Sequence, residues 1–131
     1  MHEIYLKLKK DNNDKVIIIK NGEFYYTYDK DSYIINYFFK YKIINTNDKE
    51  YTCFPKNSLN NIIKLLNSKC IGYVIYDKFV IDISFGDSEI YHSILLRYYN
   101  NKLKEDLINS ICSILSKKDI KDLKKIYNGI N

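Results

Sequence analysis

Four consecutive β-branched residues, Val16-Ile17-Ile18-Ile19, constrain this chain more than any other feature. A half-exposed strand alternates apolar and polar side chains, so an unbroken apolar run marks a strand buried on both faces. Such a strand needs neighbours in a sheet and a covering layer on each side. The chain has 131 residues, enough for one core of this kind, and 46% of them are hydrophobic. The expected fold class is therefore α/β, in the mixed α+β sense: a central mixed sheet of five to six strands with helices packed around it and a helical C-terminal end.

The remaining elements follow from periodicity and turn chemistry. Residues 2–10 read as a helix with Ile4, Tyr5 and Leu8 on one face. Asn21-Gly22 signals a hairpin turn, with Glu23 to Tyr28 as the returning strand. Asp29 or Asp31 is expected to cap a helix reaching about Tyr41, with Ile34, Ile35 and Phe38 facing the core. Residues 42–56 hold two short strands around a Thr46-Asn47-Asp48 turn. Pro55 precedes a helix capped by Asn57 or Ser58, in which Leu59, Ile62, Ile63 and Leu66 follow the i, i+3, i+4, i+7 pattern. Residues 71–76, 79–85 and 90–98 read as strands. The C-terminal stripe Leu103, Leu107, Ile108, Ile111, Ile114 and Leu115 is helical, and Ser116 starts a last short helix carrying Ile120, Leu123 and Ile126.

Composition narrows the function classes. The formal net charge of +5 favours polyanions, but equally keeps a surface soluble. Cys53, Cys70 and Cys112 are odd in number and lack zinc spacing, which fits buried thiols in a reducing cytoplasm. His2 and His92 are the only histidines. The carboxylate pairs Asp29/Asp31 and Asp82/Asp87 are explained by caps and turns better than by a metal site. No catalytic, metal or cofactor-binding constellation stands out, and no signal peptide or membrane span is expected. The heavy use of Lys, Asn, Ile and Tyr reads as the imprint of an AT-rich genome.

Taken in order, the first 78 residues resemble the amino-terminal mismatch-recognition domain of MutS, domain I, here standing alone. The family opens with a Y-L-x-L-K helix, matched by Tyr5-Leu6-Lys7-Leu8-Lys9. A buried strand and the family's G-D-F-Y-E motif follow, the motif matched by Gly22-Glu23-Phe24-Tyr25-Tyr26. Tyr28-Asp29-Lys30-Asp31-Ser32 matches the acidic helix start, and Cys53-Phe54-Pro55-Lys56-Asn57-Ser58 the family's G-I-P-Y-H-A segment. Residues 1–131 are thus expected to form a single domain of this kind, with 100–131 as a divergent helical extension.

The resemblance implies a role for two residues. In the family the motif Phe stacks on a mispaired base from the minor groove, and the Glu two positions later hydrogen-bonds that base. Residues two apart on a strand share a face, and an aromatic wedge recovers stacking energy at a weakened step. Phe24 keeps the wedge position, while Tyr26 replaces the carboxylate with a longer, neutral hydroxyl. Lys20, Lys30, Lys56 and Lys64 are candidates for phosphate contacts. The competing readings are a Phe24 packed in the core, a surface Tyr26 and lysines that are merely solvated. No G-x-x-x-x-G-K-[ST] phosphate loop occurs, so MutS-type ATP hydrolysis is not expected. The expected function is a non-catalytic, cytoplasmic DNA-binding module, contacting duplex, distorted or mismatched DNA with reduced or lost mismatch selectivity. The alternative is a protein-interaction module, with a protein partner or a second copy, that kept the fold and lost DNA recognition.

Overall fold

The computed structural model describes residues 1–114. Strand β1 (Lys15–Asn21) contains the β-branched run, and Val16, Ile17, Ile18 and Ile19 are at most 1% exposed, so both faces are covered. β1 pairs antiparallel with β2 (Phe24–Tyr28) and parallel with β5 (Gly72–Asp77). β4 (Lys49–Pro55) flanks β2, β3 (Ile44–Thr46) flanks β4, and β6 (Phe79–Ser84) flanks β5. The result is a six-stranded mixed sheet in the order β3-β4-β2-β1-β5-β6. The β1–β2 turn falls one residue later than Asn21-Gly22 suggests. Asn21 pairs with Phe24, which leaves Gly22-Glu23 as the tip, with Gly22 at a φ of +64°. A positive φ at the first tip position suits a tight hairpin and costs glycine nothing.

Helix α1 (His2–Asp11) covers one face, where Tyr5 packs with Ile17, Ile19, Tyr28 and Val74. Helices α2 (Asp29–Phe39) and α3 (Leu59–Ser68) cover the other with the first turns of α4 (Ser88–Ile114). There Ile34, Ile35, Ile62, Leu66, Tyr91, Ile94 and Leu95 pack onto Val16, Ile18, Tyr25, Phe54, Tyr73 and Ile75. The chain divides into two compact units, Met1–Leu96 and Arg97–Asn131. Within the second, the stripe is helical as far as Ile114, with Leu103 and Leu107 exposed and Ile108 half-buried. Leu115 and the last expected helix lie outside the described residues.

Three further expectations are corrected. Residues 90–98 are helical, not a strand. Tyr91, Ile94 and Leu95 all face the core at i, i+3, i+4, and the Asp87 carboxylate accepts the Glu89 N–H at 2.9 Å at the helix start. Neither Asp29 nor Asp31 caps α2 through its side chain. Asp31 is instead fully buried, accepting the Ile17 N–H at 3.0 Å, the Tyr91 hydroxyl at 2.6 Å and the Lys9 ammonium at 2.7 Å. Two of the thiols are not deeply buried either: Cys53 is half-buried and Cys70 exposed.

The turn between β6 and α4 is locked by close backbone approach. A Cβ on Gly86 would lie 2.2 Å from the Gly72 nitrogen and 2.5 Å from the Cys70 carbonyl oxygen, so no side chain fits there. No described helix is long and apolar enough to cross a membrane.

Candidate nucleic-acid interface

Alternation along β2 decides which side chains emerge together. Tyr25 belongs to the core beneath α2–α4, whereas Tyr28 belongs to the α1 face and Tyr26 packs at its margin. Phe24 shares that second face by the period of two. Its cross-strand neighbours are Asn21 on β1 and Pro55 on β4, and its side is left 43% exposed. Phe24 is therefore not a core residue. It stands at the end of the sheet beside the hairpin tip.

Tyr26 is held by its surroundings. It is half-buried, with its ring 5.9 Å from that of Tyr51, which lies 5.9 Å from Tyr28. Tyr28 in turn contacts Tyr5 and His2, at 5.6 and 5.2 Å. This chain of rings fixes the face from α1 outward to Tyr26. Burial above all, and then Cys53 and Tyr51, pushes the Tyr26 hydroxyl above its ordinary pKa. The group at the motif's last position is thus a neutral hydroxyl.

The lysines are not equivalent. Lys56, just after β4, pairs with Glu23 at 2.9 Å, and its N–H donates to the Glu23 carbonyl at 3.0 Å. That ion pair sits at the hairpin tip next to Phe24, lowering the Glu23 pKa and raising that of Lys56. Lys20 lies at the same end of the sheet but on the opposite face, since it alternates with Ile19, and it pairs with Asp77 at 3.6 Å. Lys30 is exposed in the first turn of α2, at the far end of β2, roughly 13 Å of strand from Phe24. Lys64 is an exposed residue of α3. The structure thus puts Phe24 and Tyr26 on one face of β2, holds Lys56 at the hairpin tip against Glu23, places Lys20 on the opposite face, and sets Lys30 apart. The Glu23–Lys56 pair escaped the sequence reading because it depends on the β2–β4 register, which no local signal encodes. Among the described residues, no group of three or more His, Cys, Asp or Glu is placed to hold a metal ion.

The mixed sheet is covered by helices on both faces and leaves aromatic side chains exposed at its hairpin tips, Phe24 among them. The model of the family MutS domain I matches residues 1–99, and the chain belongs to that family. In general terms this makes it a DNA-binding module related to mismatch repair, built on a recognition domain rather than a catalytic one. The match runs past residue 78, where the recognisable motifs stop, and takes in β6 and the start of α4. No curated protein matches the chain.

Proposed function

We propose that this chain is a non-catalytic, cytoplasmic DNA-binding module that engages duplex DNA at distorted or weakened steps with little mismatch selectivity. The observation that carries the reading is the exposure of Phe24 at the hairpin tip, on a face made rigid by the Tyr26–Tyr51–Tyr28 rings. A fixed, solvent-facing aromatic recovers stacking energy at a step that is already unstacked. Tyr26 offers a neutral hydroxyl where the family places a carboxylate, so base-specific discrimination is weak. Residues 100–131 act as a divergent extension of this domain.

Fluorescence anisotropy against matched and G·T-mismatched duplexes, over a range of salt, tests the reading. Binding to both with a small difference in affinity is expected. No binding at low micromolar protein in low salt sinks it. The salt dependence should be shallow, because two of the lysines nearest the wedge are already ion-paired. Glu23→Gln then has a defined effect. It releases Lys56 for a phosphate, tightens DNA binding several-fold and steepens the slope of log K against log salt by about 0.9. An unchanged slope means that Lys56 does not reach the backbone.

One observation favours a second reading. β6 is an edge strand whose Phe79, Val80, Ile81 and Ile83 are 38–68% exposed, followed by Phe85 at 82%. Unpaired apolar edges are templates for another chain. In this reading the partner is a second copy, joined edge to edge. Light scattering after size exclusion then gives a dimer that Ile81→Lys converts to monomer. A monomer at all concentrations removes this alternative.

A further inference from the structure

The parallel β1–β5 pairing places two hairpin tips at the same end of the sheet. Ile19 pairs with Tyr76, so Lys20 and Asn21 run level with the Asp77-Lys78 turn that leads into β6. The first tip carries Glu23 and Phe24, and the second carries Lys78 and Phe79. Lys78 is the turn residue at a φ of +66° and is exposed. Among the described residues it has no carboxylate within ion-pairing distance, in contrast to Lys20 and Lys56. Phe79, beside it, is 68% exposed, more than Phe24. Phe79 pairs with Asp77 and so rises on the face opposite to Phe24, which makes the end of the sheet, rather than either face, the shared surface.

We propose that the Lys78-Phe79 tip is a second DNA contact, in which Lys78 meets a backbone phosphate and Phe79 lies against the adjoining sugar. This rests on the DNA-binding reading above and adds to it where the available cation lies. The chemistry is that of a nucleic-acid backbone site, an uncompensated cation next to an exposed aromatic ring. The spacing fits a duplex. Three inter-strand steps separate β2 from β6, about 14 Å at 4.8 Å per step. At 3.4 Å per nucleotide, that is about four nucleotides along one strand from the step that Phe24 enters.

The test compares wild type, Lys78→Gln and Phe79→Ala on a 20-base-pair duplex with a central G·T mismatch, from 50 to 200 mM salt. Lys78→Gln should reduce the salt slope by about 0.9 and weaken binding about eightfold at 0.1 M salt, the factor that one released counterion supplies. Phe79→Ala should weaken binding with the slope unchanged. Ethylation of single phosphates about four nucleotides from the mismatch should interfere with wild type and not with Lys78→Gln. Both variants alter exposed side chains and should melt with wild type, which separates lost contact from lost fold. If wild type binds and Lys78→Gln leaves affinity and slope unchanged, the second contact is wrong while the wedge reading stands. If wild type does not bind, both fall.

Discussion

Replacing Asp31 with Ala should cost about 3–5 kcal/mol of folding stability, the usual effect of breaking a buried ion pair from one side. The carboxylate is fully buried and satisfied three times, by the Ile17 amide, the Tyr91 hydroxyl and Lys9. Lys9 also donates to the Lys15 carbonyl at 2.6 Å and to the Tyr91 oxygen at 2.9 Å. One side chain of α2 thereby ties α1, β1 and α4 together. Its loss orphans a buried amide and leaves a buried ammonium without its counter-charge. Against a total of roughly 5–15 kcal/mol for a domain, this is enough to unfold a measurable fraction at room temperature. Urea unfolding followed by circular dichroism is the measurement, and a change below about 1 kcal/mol would contradict the assignment.

Lys9 supplies the pH signature of the same variant. Burial already holds its pKa below the ordinary 10.5, and the nearby Asp31 carboxylate opposes that shift. Without Asp31 the folded-state pKa falls further. Between that value and 10.5 the unfolded chain binds more protons than the folded one, so unfolding free energy rises with pH in that window. Asp31→Ala should therefore regain stability relative to wild type on going from neutral to mildly alkaline buffer. The double variant Lys9→Met, Asp31→Asn should lose less than Asp31→Ala, because it removes both charges together.

This cluster also shows what local sequence encodes and what it does not. Lys9 closes the Y-L-x-L-K segment and Asp31 lies in the acidic helix start, two of the pieces that carry the family resemblance. From the sequence Asp31 reads as a cap and Lys9 only as the end of a helical segment, yet the two meet beneath the helices. Their partnership spans 22 positions and depends on α1 and α2 converging at β1, which composition and periodicity do not contain. The doubly buried β1, the hairpins and the α3 stripe were legible because each is written within a few consecutive residues. Residues 90–98 were misread for the opposite reason. Their density of Ile, Tyr and Leu suits a strand, and only the spacing of Tyr91, Ile94 and Leu95 with the Asp87 cap selects a helix. At the interface, the period of two was enough to put Phe24 and Tyr26 on one face. The pairing of Lys56 with Glu23 needed the β2–β4 register.

Phe24→Ala should weaken DNA binding by about 1–3 kcal/mol, the range for one lost aromatic–base stack, which is roughly five- to 150-fold in affinity. The loss should leave the salt slope alone, because a neutral ring releases no counterions. It should also leave the melting temperature close to wild type, since Phe24 is 43% exposed and sits at the end of the sheet opposite Asn21 and Pro55. Phe24→Trp keeps a stacking surface and should retain most of the affinity. This combination separates a wedge from a scaffold: an affinity loss with unchanged slope and unchanged fold has no source except direct stacking. If Phe24→Ala binds within about threefold of wild type, less than the ~1 kcal/mol at the bottom of that range, the wedge is not used and DNA contact must come from elsewhere on the surface. Tyr26→Phe completes the test. The Tyr26 hydroxyl is neutral and its ring is already seated on Tyr51, so deleting it should change affinity far less than Phe24→Ala and alter matched and mismatched duplexes alike. A selective loss on the mismatched duplex would instead make Tyr26 a base reader in its own right.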